Sequence, residues 1–376
     1  MSAEASGKGI LLKADPIANV FRDEIKATLT TRSRPSKLVG ILATSAAPSK
    51  FYAEFTQKQC LALGIEFVLR RIGAAADPAL GEGDGVEEAI IEANEDESVD
   101  GIMVGYLPVL VLRIRVHVNS LVMKVYYPIF GVQQDHYLQQ VVSPFKDVEG
   151  LHFKFHYNLY HNIRYLDPKS LISSVPPTTA PEPAVEDQPP PGAVKSILPC
   201  TPLAVVKCLE HIGVYNKILP YGDRAYGKTI TVINRSEVVG RPLAALLAND
   251  GARVFSIDID SIQEYTKRPQ QSSESDAQRR FHPRHVVHPC SLSPQDCLAL
   301  SDVVVSAVPS AQYKVKTAWL KDGCVCVNVA ADKNFEADVR EKASVYMPTI
   351  GKVTIMMLLR NLLRLQQYGE LTKAQA

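Results

Sequence analysis

Residues 229–260, TITVINRSEVVGRPLAALLANDGARVFSIDID, decide the fold, because they hold a strand, a turn, a helix and a second strand in one run. TITVI is the β-branched run that a strand buried on both faces requires. Arg241-Pro242 followed by LAALLAN has the apolar spacing of a helix opened by proline, and Gly251 ends it. RVFSIDID reads as the next strand, parallel to the first. Such a unit aims backbone N–H groups and the positive end of a helix at whatever lies above the turn, which suits a pyrophosphate. The G-x-G-x-x-G spacing of dinucleotide sites is missing, since the turn NRSEVVG has Gly240 as its one glycine. Asp258 strengthens the reading, because a carboxylate about 20 residues beyond the turn can accept hydrogen bonds from a ribose diol. The alternative is a purely structural βαβ unit, with Asp258 capping a strand end or pairing with Arg235.

Around this unit, a chain of 376 residues, 46% hydrophobic and 22% charged, is long enough for two domains with separate cores. A net charge of +1 argues against a nucleic-acid partner. Seven cysteines, an odd number scattered over a long chain, do not form a disulfide framework and fit a reduced compartment. The N-terminal MSAEASGKGILLKADPIANVF has neither an apolar signal core nor an arginine-rich amphipathic helix, so a cytoplasmic protein with no membrane partner is expected.

Upstream, Ile17, Val20, Phe21, Ile25 and Leu29 recur at helical spacing, and KLVGILAT reads as a buried strand. Helices are expected over residues 51–63 and 86–94, strands over 66–72 and 101–104, and a glycine-rich loop over 81–85. This alternation predicts an α/β domain with a largely parallel sheet. Downstream of a helix over residues 203–211, SDVVVSAVPS and GCVCVNVAA supply two more buried strands, with Cys324 and Cys326 as small hydrophobes on one of them. The polar run 267–280 is a loop. His282, His285 and His288 invite a metal reading, but Pro283 and Pro289 prevent one helical face from presenting all three, so no metal site is expected.

YAEFTQK from Tyr52, KDVEG from Lys146, ILPCTPLAVVK from Ile197, INRSEVVGRPLAALL from Ile233 and GKVTIMMLLRN from Gly351 occur in this order over nearly the whole chain. Together they resemble the methylenetetrahydrofolate dehydrogenase/cyclohydrolase family. YLQQVV, LYHNIRYLD and KSILPCTPLA are similar to its fungal, monofunctional, NAD-dependent branch. The resemblance implies a two-domain α/β fold: an N-terminal folate domain completed by the C-terminal helix (residues 1–200 with 345–376), a Rossmann-type NAD-binding domain (201–344), and the active site in the cleft. It also implies a homodimer.

Two stretches depart from the family pattern. Residues 105–125, GYLPVLVLRIRVHVNSLVMKV, interrupt the run from GIMV to YYPIFG that relatives make directly. They are too charged and interrupted for a membrane span. They form either a family-specific hairpin or a segment absent from the working protein, a retained intron or gene-model error, and the lack of turn chemistry favours the second. Residues 173–193, SSVPPTTAPEPAVEDQPPPGA, are too proline-rich and acidic to build a core, so they read as a surface loop or linker.

Further expectations follow from the resemblance. Oxidising the methylene bridge of the folate removes a hydride and leaves a cation shared by two nitrogens, so the site must position and stabilise rather than abstract a proton. Tyr52 corresponds to the tyrosine that stacks on the folate, with a core tyrosine as the alternative. Glu149 stands where relatives carry a pterin-binding aspartate, and Tyr126 replaces a glutamine once the insertion is skipped. Pro348 and Thr349 complete the substrate set. Cys200 is catalytic beside Tyr52 by family analogy, yet hydride transfer needs no thiolate, so a packed thiol lining the cleft is an equal reading. Bifunctional relatives carry a lysine four residues after the tyrosine; here that position is Thr56, and Lys58 lies round the helix. For the NAD cofactor the resemblance assigns Arg235, Ser236, Asp258, Ile259, Val308, Pro309, Val329 and Ala330. Asp258 there disfavours a 2′-phosphate, and Arg235 is expected to be free to neutralise Asp258 or to reach the pyrophosphate.

Overall fold

The computed structural model describes residues 7–32, 34–104, 111–112, 125–126, 130–172, 187–268 and 282–374. The first half contains β1 (Ile10–Leu11), α1 (Asp15–Leu29), β2 (Lys37–Leu42), α2 (Ala47–Leu63), β3 (Glu66–Arg71), α3 (Val86–Glu95), β4 (Gly101–Val104), β5 (Val111–Leu112), β6 (Val125–Tyr126), α4 (Val132–Val141) and α5 (Phe153–Tyr160). There follow β7 (Tyr165–Leu166), β8 (Val194–Lys195), α6 (Cys200–Ile212), β9 (Thr229–Ile233), α7 (Gly240–Asn249), β10 (Arg253–Ile257), β11 (Ile262–Thr266) and β12 (Val286–Pro289). The chain closes with α8 (Pro294–Leu300), β13 (Val303–Ser306), β14 (Val325–Asn328), β15 (Val345–Met347) and α9 (Gly351–Ala374).

Continuous apolar strands become central strands because both their faces are covered. In the eight-stranded sheet, ordered β1-β15-β14-β13-β9-β10-β11-β12, Ile230, Val232, Val303, Val305 and Val254 pack on one side, while Ile233, Val304, Phe255 and Cys326 pack on the other. The strands from β1 to β10 are parallel. A smaller parallel sheet, β3-β2-β4, repeats this on a lesser scale: Leu38 faces the main core, and Val39 and Ile41 face α3. The main core is continuous between the two sheets, joined by α6 and by α9, which packs on both α1 and α6.

The structure differs from the sequence reading in three places. After β10 the chain does not cross over but turns back as β11 and β12, both antiparallel. IQEYT is half-buried and carries no long apolar run, so it gave no strand signal. The strand pairing around residue 345 was not read from the sequence either. β15 pairs in parallel with β14, and β1 pairs with β15, so residues 345–347 and the N-terminal strand extend the larger sheet and the C-terminal helix begins at Gly351. Finally, α2 and α6 start earlier than expected, at Ala47 and Cys200, which places Cys200 in a helical first turn. Within residues 105–125, Val111–Leu112 and Val125 are described, in an antiparallel pair between β5 and β6, and the remainder lie outside the described residues. So do residues 173–186 and 269–281.

Candidate active site

The KDVEG turn shows how neighbouring charges divide between scaffold and site. Lys146 Nζ donates to the carbonyls of Ala93, Asn94 and Asp96 at 2.7–2.8 Å, fastening the turn to the end of α3. Asp147 is buried and accepts from the backbone N–H groups of Gly150 (2.9 Å) and His152 (2.8 Å). Burial lifts its pKa to about 6 against the pull of those amides. Gly150 has φ +75°, and a Cβ on it would lie 2.7 Å from the Leu198 carbonyl, so glycine lets this turn lie flat against LPC. The turn is pinned there by Cys200 N donating to Glu149 O (3.0 Å) and by Asn361 Nδ2 of α9 donating to both Val148 O and Leu198 O.

Glu149 is thereby turned towards α2 and α6. Its Oε2 accepts from Val104 N at 3.2 Å, and no cation pairs with it among the described residues. Burial, then the neighbouring Asp147 charge, raises its pKa to about 8. The Tyr52 hydroxyl is hydrogen-bonded to the Cys200 thiol, with Glu149 close enough to act on both electrostatically. Burial and then these neighbours push the tyrosine pKa well up. Burial and then Glu149 likewise push the thiol up, so Cys200 is protonated at neutral pH and is no thiolate nucleophile. Three elements thus bring Tyr52, Glu149 and Cys200 together. Thr56 is fully buried, its hydroxyl donating to Tyr52 O (2.8 Å), and Lys58 is on the exposed face of α2. The backbone of Tyr126 pairs with Val111; its side chain lies outside the described residues.

On the other side, the carboxyl ends of β9, β13, β14 and β15 form one edge. Asn234 opens the turn after β9 at φ +83°, with its Oδ1 accepting from Ser236 N (2.9 Å). A Cβ on Gly240 would fall 1.7 Å from the Asn234 carbonyl oxygen, so this lone glycine, packed on its own turn, does the work a richer glycine pattern would otherwise do. Ser236 Oγ accepts from Val239 N (3.3 Å). The half-exposed Val308, Pro309, Val329, Ala330 and Pro348, and the exposed Thr349, line the same edge.

Sequence reasoning missed the three asparagines that hold these turns. Asn234 Nδ2 donates to Ala307 O (3.0 Å). Buried Asn334 bridges Ser306 and both backbone groups of Val308. Buried Asn328 reaches Ala330, Asp332 and Pro348 through Nδ2. An asparagine at a strand end after an apolar run was the one available signal.

Asp258 follows β10, where a ribose-binding carboxylate belongs, and makes no ion pair among the described residues. Ile259, 54% exposed, is at the tip of the β10–β11 turn. Arg235 departs from expectation. It neither pairs with Asp258 nor projects freely, because its guanidinium is bonded to Ser256 and Ser261. This set fits NAD: a carboxylate at the second strand end, a tight turn under a helix start, and small half-exposed side chains along the sheet edge. His285 packs on Tyr265 and bonds Asn249, and no cluster of three metal-ligating side chains occurs among the described residues. No helix among them is long and apolar enough to cross a membrane.

Two family models match the chain: the tetrahydrofolate dehydrogenase/cyclohydrolase catalytic domain over residues 12–120, and the NAD(P)-binding domain of the same family over residues 199–273. The methylenetetrahydrofolate dehydrogenase [NAD(+)] of Schizosaccharomyces pombe is 43% identical over 94% of this chain and 92% of its own. That of Saccharomyces cerevisiae is 43% identical over 98% and 99%. The structure of the NAD-dependent 5,10-methylenetetrahydrofolate dehydrogenase from Saccharomyces cerevisiae superposes with a TM-score of 0.77, covering 97% of this chain and 99% of that one.

Proposed function

The chain belongs to the tetrahydrofolate dehydrogenase/cyclohydrolase family, and on that premise we propose that it oxidises 5,10-methylenetetrahydrofolate to 5,10-methenyltetrahydrofolate with NAD. The observation that carries this reading is the pairing of a Tyr52–Glu149–Cys200 cluster that has no lysine at position 56 with an unpaired carboxylate, Asp258, at the ribose end of the nucleotide sheet.

NAD bound along the carboxyl edge supplies the hydride acceptor. Tyr52 offers its ring to the pterin and to the positive charge that develops on the bridge. Glu149 receives the pterin N–H groups and, once ionised, faces that charge. Pro348 and Thr349 border the same space, and Tyr126 belongs to the substrate set by likeness. Cys200 holds the Tyr52 hydroxyl rather than attacking a carbon. Val308, Pro309, Val329 and Ala330 form the nicotinamide side, with Arg235, Ser236, Asp258 and Ile259 at the adenosine side. Hydration of the methenyl product is left to solvent, because the buried Thr56 hydroxyl is committed to Tyr52 O and is no acid or base near neutral pH, and exposed Lys58 is on another face of α2. Seven unpaired cysteines agree with a cytosolic setting, and we read the protein as a homodimer serving one-carbon metabolism.

Steady-state rates with methylene-folate and each dinucleotide test the reading. NAD should be preferred by roughly 100-fold or more, since like charges side by side cost several kcal/mol at about 1.4 kcal/mol per tenfold. Methenyl-folate should decay no faster with enzyme than without. Equal use of NADP, or enzyme-driven ring opening that Lys58→Ala abolishes, contradicts it.

A further inference from the structure

Arginine carries five N–H donors, and Arg235 makes four hydrogen bonds to the two residues that flank the β10–β11 turn, Ser256 near the end of β10 and Ser261 just before β11. Nε donates to Ser256 Oγ (3.1 Å), Nη1 to Ser261 Oγ (3.0 Å), and Nη2 to the carbonyls of Ser256 (2.7 Å) and Ser261 (2.9 Å). That turn is short: Ile257 pairs with Ile262, and Asp258 N donates to Ser261 O at 3.0 Å. Asp258 therefore stands inside the loop whose two ends the guanidinium ties together. The tie also reaches across strands, because Arg235 follows β9 while Asn234 N donates to Ile257 O at 2.9 Å.

We propose that Arg235 is a specificity-determining positioning residue, a clamp that presents Asp258 to the ribose hydroxyls while Ser256 and Ser261 withhold its donors from a 2′-phosphate. The proposal rests on the NAD-dependent reading above and deepens it: discrimination against NADP has two parts, a carboxylate that repels the phosphate and an arginine that is already occupied. To meet a 2′-phosphate the guanidinium would have to leave two hydroxyls and two backbone carbonyls, and the turn would lose its tie. Replacing Asp258 alone thus removes the repulsion without supplying a cation.

The test compares the intact protein with Asp258→Ser, with Ser256→Ala/Ser261→Ala, with the triple variant, and with the triple variant carrying Arg235→Ala. Dissociation constants for NAD and NADP are measured by calorimetry, alongside kcat and KM, with thermal melts to confirm folding. Asp258→Ser should improve NADP affinity about tenfold, and releasing Nε and Nη1 of Arg235 from the two hydroxyls in the triple variant, where Nη2 keeps its two carbonyl bonds, should add about tenfold more, in KM rather than kcat. Arg235→Ala should abolish the second gain. Ser261→Thr, which keeps the hydroxyl, should match the intact protein. A triple variant no better than Asp258→Ser, or a second gain that survives Arg235→Ala, overturns the clamp. If NAD binds but is not reduced in a methylene-folate-dependent way, the functional reading fails, and the affinity comparison still decides the clamp.

Discussion

In the proposed site a single carboxyl governs the response to pH. Glu149 has its pKa raised from 4.5 to about 8 by burial and by Asp147. A group raised in this way favours the folded state only while protonated, so stability falls as pH climbs from about 4.5 towards 8. Pterin N–H groups prefer the carboxylate, so substrate binding below about pH 8 must expel a proton, and kcat/KM for methylene-folate should rise to about pH 8 and then level. Glu149→Gln should flatten both trends, weaken folate binding and raise stability at pH 7 by about 1 kcal/mol, a modest figure because the residue keeps some solvent exposure. Thermal melts and kcat/KM between about pH 5 and 9 check this; a flat wild-type profile, or equal pH sensitivity in the variant, contradicts it. Glu149 was singled out through the family resemblance of KDVEG, but the roles of its neighbours were not legible. Nothing local in the sequence distinguishes Lys146 and Asp147, spent on carbonyls and amides of the scaffold, from Glu149, the charge of the turn that has no ion pair among the described residues.

The turn between β9 and α7 works without a run of glycines because one of them is indispensable. Gly240→Ala would drive a methyl into the Asn234 carbonyl oxygen, 1.7 Å away, and so open the turn. We expect a loss of about 3 kcal/mol in stability and at least tenfold in NAD affinity. Gly369 of α9 has nothing within 4 Å of its Cβ position, and Gly369→Ala should stabilise by about 1 kcal/mol through helix propensity. Chemical denaturation of the two variants with calorimetric NAD titration separates the cases; a harmless Gly240→Ala would remove the argument. Elements buried on both faces, such as β9, β13 and β14, could be read directly because burial forces continuous apolar runs. β11 and β12 could not, since their pairing is set by the hairpin at Asp258 and by partners distant in sequence rather than by their own apolar content. The asparagines that lace the sheet edge were hidden for a related reason: a polar anchor has no period.

At the scale of the molecule, residues 105–125 fall between β4, whose Val104 amide meets Glu149, and the helix α4. We hold that this segment is absent from the working enzyme. A chain in which GIMV continues directly into YYPIFG should bind methylene-folate at least as tightly as the full chain. Native peptides across residues 101–131 should carry that junction, and peptides containing Arg113 or Arg115 from active protein would overturn it. The main core imposes a different demand. Ile17 and Ile25 of α1 are covered by α9, and contacts such as Arg32 to Glu370 join residues more than three hundred positions apart. A ribosome adding about 5–20 residues per second needs roughly 20–70 s to travel from α1 to α9. For that interval the first helix of the nascent protein has no lid over its apolar face, so the cell must shelter an unfinished chain. The last helix to emerge is the one that lets the first come to rest.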